Sequence, residues 1–514
     1  MTSNVLGGAL AAALILASAA ASARVVRLEV TATQPYGSFA TGEFVRVEGR
    51  IHGELAPDEP IPGLDRAARN GRGRVDYTAP FILIQPKDPA QGNGALLFDV
   101  ANRGRPIAHH LYNSPRAVPV VAGSLEAGTG FLQGRGFTLV TVGWELGMGI
   151  ELPGFAGPDG KTLHAEGAGI AAIRDTVDFL HNAAADDAGT PNPLAGAINR
   201  TLVVGYSQTA RLLKTFLIEG FNMTEGRRVF DGVHLHASAG GRAAVLAVNA
   251  GPQSSSFFTP RFTDPDWRGV HEEPFTYRDI IERMTRRREV PPRILVTSST
   301  TDYFSIRASL ARTGASGTAD QPVPPNVRLY DVAGASHERS LAPGCEKPRD
   351  TLDWFPVMRA TLVNLDAWVS HNRPPPPSLL MPLAARPGDA TVLQRPAHLP
   401  DAVIQVPTQG PDGNFQGGVR LPDVEAPLGT HGEQNLPLSD RSCNLGGSTV
   451  AFAPTPEQRA PGDTRPSLAE RYKGRADYME QVRAATRRLL QQRFLLPGDA
   501  AVIINAAAEA PGLK

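Results

Sequence analysis

The chain opens with alternating apolar and polar residues. Residues 25–33 and 43–55 alternate along their length, the period of strands that bury one face. Residues 65–74, rich in Arg and Gly, read as a loop, and 77–85 as a third strand. Further on the pattern changes. Residues 94–100, 137–144, 201–206, 232–237, 293–297 and 327–332 are short, almost continuously apolar runs. Such runs suit strands covered on both faces. A short helix or turn at 131–136 leads into the second of them. Helical periods fall between: 166–184, with Ile170, Ile173, Val177, Phe179 and Leu180 on one side, then 211–217 and 354–370. This alternation predicts an α/β protein, with a mostly parallel central sheet and helices on both faces.

Two regions break the rhythm. Residues 240–292 mix Ser-, Phe- and Pro-containing loops with one helical piece at 277–288, and are expected to form a cap insertion over the strand tips. After 370, the run Asn372-Arg373-Pro374-Pro375-Pro376-Pro377 is a stiff spacer. Residues 375–465 are Pro- and Gly-rich, and are expected to wrap the main domain. Residues 467–493 read as a helix opened by a Ser467/Glu470 capping box, and 499–509 as a last helix. The expected organisation is a leader at 1–23, a main domain at 24–374 with its insertion, and a packed extension at 375–514.

Composition narrows the function. The 514 residues carry 51 basic and 51 acidic side chains, so neither nucleic acid nor another charged polymer is an expected partner. Two cysteines leave no room for a disulfide scaffold or a multi-cysteine metal site. The stretch 6–21 is apolar and small-residue rich and ends in Ala21-Ser22-Ala23, a cleavage signal, although no Lys or Arg precedes it. A cleaved signal peptide is therefore expected, an uncleaved anchor being the alternative, with a mature protein that is periplasmic or extracellular and no other apolar stretch long enough to span a membrane. In that oxidising setting Cys345 and Cys443 are candidates for a disulfide, two free buried thiols being the alternative.

The chemistry begins at Gly205-Tyr206-Ser207-Gln208-Thr209, where a buried strand meets a helix. This is the form of a nucleophile elbow, with Thr209 where glycine is usual. A serine needs a base, and the base an acid. His337 lies in the loop 333–338 after the strand 327–332, and Asp302 in the loop 298–303 after the strand 293–297. The order Ser, Asp, His on loops after strands is that of an α/β-hydrolase fold. Asn102-Arg103-Gly104 follows an earlier strand, where this architecture places its second oxyanion donor. Gln208, Arg103 and Asn102 are the oxyanion candidates, and Tyr206, Trp144, Glu145 and Tyr303 the candidates for lining the substrate pocket. His109, His110, His234 and His236 are weaker bases on position, as Glu338 and Asp331 are weaker acids. A metal site at His234 and His236 is not expected, because no carboxylate stands at ligand spacing.

With these residues in place the chain resembles an exported bacterial "alpha/beta hydrolase domain" family of esterase-like serine hydrolases. The resemblance rests on Gly205 to Arg211, Gly220-Phe221-Asn222, Asn102-Arg103-Gly104, Gly143-Trp144, Ser299 to Tyr303 and Ala333 to His337. It extends to Arg420 to Val424 and Arg465 to Tyr472, hence over nearly the whole mature chain. It implies serine chemistry on a hydrolase fold, with the substrate mostly unassigned; the triad chemistry itself calls for no metal or organic cofactor and for a small-molecule ester substrate. The expected activity is hydrolysis of a carboxylic ester through an acyl-enzyme. A binding or scaffold protein on the same fold, and an acyltransferase using the same triad, are the alternatives.

Overall fold

The computed structural model describes residues 24–238, 240–243, 245–246, 248–249, 274–339, 343–385, 404–436, 438 and 442–513. Nine strands form the central sheet: β1 (Arg24–Phe39), β2 (Gly42–Leu55), β3 (Val75–Pro86), β4 (Ala95–Asp99), β5 (Thr138–Val142), β6 (Arg200–Tyr206), β7 (Gly232–His236), β8 (Arg293–Ser299) and β9 (Val327–Val332). Their spatial order is β1-β2-β3-β5-β4-β6-β7-β8-β9. The alternating strands β1, β2 and β3 pair antiparallel, as does β3 with β5. Every pairing from β5 to β9 is parallel. The sequence pattern accounts for the division, because every residue of β4, β5, β6 and β7 is buried and only a sheet covered on both faces buries all of them.

Helices α1 (Ala108–Asn113), α2 (Ala168–Asn182), α3 (Gln208–Ile218), α4 (Tyr277–Arg286), α5 (Thr300–Ser305) and α6 (Phe355–His371) follow the strands in turn. On one face Ile170 and Val177 of α2, Leu213 and Phe216 of α3, and Ile280 and Met284 of α4 pack with Phe98 and Val203 of the sheet. On the other, Leu111 of α1 and Leu362 and Leu365 of α6 pack with Leu97, Leu202 and Val204.

Three local expectations change. The stretch 298–303 is not a loop. Ser299 and Asp302 form a reciprocal capping box that starts α5, so Asp302 stands in the first turn of a helix. The helical piece of the expected cap belongs to the body, since α4 lies against α3 with Ile280 and Met284 fully buried. It is part of the crossover from β7 to β8. The long helix at 467–493 is divided by Gly474, at φ 144°, into α8 (Leu468–Arg471) and α9 (Arg475–Gln491), after a single turn α7 (Cys443–Gly446). The Ser467/Glu470 capping box is present. The expected leader at 1–23 and residues 250–273 of the expected insertion lie outside the described residues.

The extension completes the sheet. The outer edge of β9 is covered by two of its segments: Asp331 N–H donates to the Leu379 carbonyl at 3.0 Å, and Val419 N–H to the Asp331 carbonyl at 2.7 Å. This removes the exposed row of backbone groups that an edge strand presents. Met381, Phe415, Val419, Leu421, Phe494 and Ile503 all enter the core on the α6 side. Helix α9 packs with a final helix α10 (Pro497–Ala508), and a disulfide joins Cys345 to Cys443. Phe415 is fully buried, its ring 5.9 Å from that of Phe304 in α5. Phe415→Ala is expected to cost about 3–5 kcal/mol. In thermal unfolding it should lower the midpoint of one cooperative transition; a separate early transition would mean that the extension folds apart from the body.

Candidate active site

At the end of β6 the backbone turns through Ser207, whose φ of 56° and ψ of −110° no L-residue adopts without strain. Neighbouring residues hold it there. A Cβ on Gly205 would stand 2.6 Å from the Thr209 carbonyl oxygen and 2.8 Å from the Ala210 nitrogen, so only glycine fits two positions before the serine. Thr209 has a reason to replace the usual glycine, because its hydroxyl accepts from Tyr206 N–H at 3.0 Å and donates to the Tyr206 carbonyl at 3.2 Å. Asn102 donates its side-chain N–H to that same carbonyl at 2.8 Å.

His337 Nε2 lies 3.0 Å from Ser207 Oγ, and His337 Nδ1 lies 2.6 Å from Asp302 Oδ1. The second Asp302 oxygen accepts from Ser299 N–H at 2.6 Å. An ionised carboxylate only accepts, so Nδ1 carries the imidazole proton and Nε2 is left to accept from the serine hydroxyl. Asp302 is fully buried and His337 is 4% exposed, while Ser207 is partly open to solvent. The arrangement can abstract the hydroxyl proton and hold the resulting imidazolium against a carboxylate.

Two residues that sequence reasoning missed set this geometry. Thr301 Oγ accepts from His337 N–H at 2.6 Å. The Leu445 carbonyl accepts from His337 N–H at 3.0 Å and from the Thr301 hydroxyl at 3.1 Å. The Ser299-x-x-Asp302 spacing is a legible helix-start signal; nothing local announces Leu445.

The other candidates separate. The N–H of Gln208, the first residue of α3, adjoins Ser207 and suits an oxyanion. Asn102 does not serve that way, because its N–H is bound to the Arg105 carbonyl at 2.8 Å. Arg103, at φ 54°, and Gly104, at φ 72°, form the tip of this two-residue turn, whose mirror-image form needs both in the left-handed region. Trp144 is 2% exposed and donates its indole N–H to the Ala101 carbonyl at 2.8 Å, bracing the turn rather than lining a pocket. Tyr206 lies beneath the site: its hydroxyl donates to the His337 carbonyl and its ring faces those of His337 and His236. Tyr303 is fully buried, donating to Asp331 at 2.8 Å and accepting from Arg312 at 3.0 Å, away from the serine. Glu145 does approach the site, accepting from the Gln208 side chain at 3.3 Å.

The rival bases are committed elsewhere. His234 contacts Tyr112 at 2.6 Å and Thr297 at 3.0 Å, and His236 contacts Thr297 at 2.8 Å. Burial pushes both rings down to about 3, so they stay neutral. His109 contacts Tyr36 at 2.9 Å and is pushed down to about 4 by burial. Asp331 is paired with Arg312 at 2.9 Å. Among the described residues no three His, Cys, Asp or Glu side chains are grouped as a metal ion requires. Nor is any described helix long and apolar enough to cross a membrane.

Beside Glu145, burial first and the Glu145 charge second push Glu166 up to about 8. A carboxyl raised in the folded state favours folding while protonated, so its contribution is complete below about 4.5 and is lost as pH rises through about 8. Glu166→Gln is expected to stay flatter than the wild type over that window. At about 1.4 kcal/mol per unit the difference reaches a few kcal/mol. Urea unfolding at pH 5 and pH 8.5 measures it; parallel losses in both proteins would refute it.

Comparison with known proteins bears on the fold. Residues 148–505 match a family model described as "Alpha/beta hydrolase domain". No curated protein matches the chain. Among solved structures, a glucuronoyl esterase from Solibacter usitatus is 13% identical at a TM-score of 0.29, covering 59% of this chain and 80% of that one. The rice cell wall degrading esterase LipA from Xanthomonas oryzae is 12% identical at a TM-score of 0.29, covering 59% and 90%. FphF, a fluorophosphonate-binding serine hydrolase of Staphylococcus aureus, is 9% identical at a TM-score of 0.26, covering 55% and 90%.

Proposed function

The chain belongs to the alpha/beta hydrolase domain family, and we propose that within it this protein is an exported serine hydrolase cleaving a carboxylic ester through an acyl-enzyme intermediate. The observation that carries the reading is the unbroken line of hydrogen bonds from Ser207 Oγ through His337 to Asp302, at 3.0 and 2.6 Å. Ser207 attacks the ester carbonyl as His337 Nε2 takes its proton. The tetrahedral oxyanion is held by the N–H of Gln208, at the positive end of α3, together with the N–H of Arg103 on the facing turn. The imidazolium returns its proton to the departing alcohol, and water repeats the sequence to release the acid. Asp302 fixes the tautomer and stabilises the imidazolium from a fully buried position. The Cys345–Cys443 disulfide supports an oxidising compartment and hence export. Residues 24–374 form the hydrolase body in this reading, and 375–514 an extension packed on it.

Ser207→Ala is expected to abolish hydrolysis of a p-nitrophenyl acyl ester, a loss of roughly 10⁴-fold or more, and to stop fluorophosphonate labelling. Activity at the wild-type level in that variant would sink the assignment.

A further inference from the structure

The helical turn α7 has four residues, too few to hold its own shape, and only Cys443 and Gly446 are buried. Yet its Leu445 carbonyl is placed to accept from both His337 N–H, at 3.0 Å, and the Thr301 hydroxyl, at 3.1 Å. Thr301 adjoins Asp302 and accepts from His337 N–H at 2.6 Å. One carbonyl of the extension thus touches both strand-end segments that carry the proposed acid and base.

Several contacts anchor α7 from outside. Cys443 is joined to Cys345, eight residues beyond His337, across 98 residues of sequence. Asp350 N–H donates to the Gly446 carbonyl at 3.3 Å, and Arg349 donates to the Ser442 hydroxyl at 3.1 Å. Gly447 packs against Thr301, where a Cβ would stand 3.0 Å from the Thr301 methyl. The disulfide alone is covalent; the others are hydrogen bonds of modest net strength and one packing contact. Beyond α7 the chain is held by the pairing of residues 448–451 with 429–433 and by the Asn435 side-chain N–H, which donates to the Gly447 carbonyl at 2.9 Å, so the bridge is the one covalent tie on the turn itself.

We propose that the Cys345–Cys443 disulfide is a positioning element for His337, acting through the Leu445 carbonyl and Thr301. This rests on the reading of Ser207, His337 and Asp302 as the catalytic groups. Displacing a base by about 1 Å can cost 10²-fold in rate, whereas substrate binding depends on other residues. Loss of the bridge should therefore appear in kcat rather than in KM.

The test compares the full-length wild type, a Cys345→Ser/Cys443→Ser double variant and a disulfide-intact Thr301→Val variant on one p-nitrophenyl ester. Circular dichroism and thermal unfolding are followed in parallel. For the double variant, a fall in kcat of about 10- to 100-fold is expected, with KM changed less than about threefold. Reducing the wild type with dithiothreitol, which is oxidised to its cyclic disulfide as the bridge becomes two thiols, should reproduce the loss. Reoxidation should reverse it, and the double variant should not respond to the reductant. If the double variant fails to fold, Thr301→Val decides, since it breaks the relay while the bridge stays closed and should lose kcat alone. A folded double variant at full kcat, or a folded Thr301→Val at full kcat, overturns the proposal. Fluorophosphonate labelling of the wild type separates the two readings: an unlabelled, inactive wild type defeats the triad itself, whereas a labelled, active wild type beside fully active variants defeats only the positioning role.

Discussion

A serine at φ 56° and ψ −110° does not stay there unaided, and much of the structure around Ser207 compensates for that conformation. Holding a residue in such a region costs on the order of 1–3 kcal/mol. Against that stand a strand buried on both faces before it and a helix of eleven buried residues after it. The Tyr206 peptide between them is tied at both its N–H and its carbonyl, to Thr209 and Asn102. The strain is over-determined locally, so the hydroxyl is presented without a search. The Asn102 tie also joins the elbow to the Arg103 turn, the two segments proposed to supply the oxyanion donors.

Below the elbow the sheet carries a polar layer where an apolar one would pack more simply. Tyr206, His234, His236 and Thr297 are all at least 92% buried, with exposures of 8%, 0%, 1% and 0%. Such groups are costly unless paired. Here Thr297 serves both imidazoles, Tyr112 takes the other side of His234, and Tyr206 reaches up to the His337 carbonyl. Kept neutral by burial, the layer adds no cation that would compete with an imidazolium at His337 for the Asp302 carboxylate. The aromatic faces of Tyr206 and Trp354 close around His236, giving a rigid floor on which His337 rests.

Much of this was legible in the residues. The period-two strands, the continuous apolar strands and the amphipathic helices each state their own burial, and together they define the sheet and both its faces. Ser207, His337 and Asp302 could be chosen because each follows a strand, and strand ends are visible in sequence. What failed depended on direction. Position after a strand does not reveal that Trp144 turns to the Ala101 carbonyl, that Tyr206 reaches the His337 carbonyl, or that Tyr303 turns to Asp331 and Arg312. The Asn102 amide was a reasonable oxyanion donor until the turn consumed it. The polar composition of 298–303 reads as a loop, whereas the Ser299/Asp302 capping box starts a helix there.

The contribution of the extension was the least legible, because it comes from contacts far apart in sequence. A Pro- and Gly-rich segment shows no period, and its apolar residues look isolated along the chain. In space Met381, Phe415, Val419 and Leu421 fill one side of the sheet, and residues 379 and 419 cover the β9 edge. That edge matters for chemistry, since β9 ends where the His337 loop begins. An edge strand with unpaired backbone would fray at its end, and the histidine would move with it. Residues 379 and 419 meet β9 itself, and the Leu445 carbonyl meets the His337 N–H just beyond it, so distant parts of the extension converge on the end of one strand.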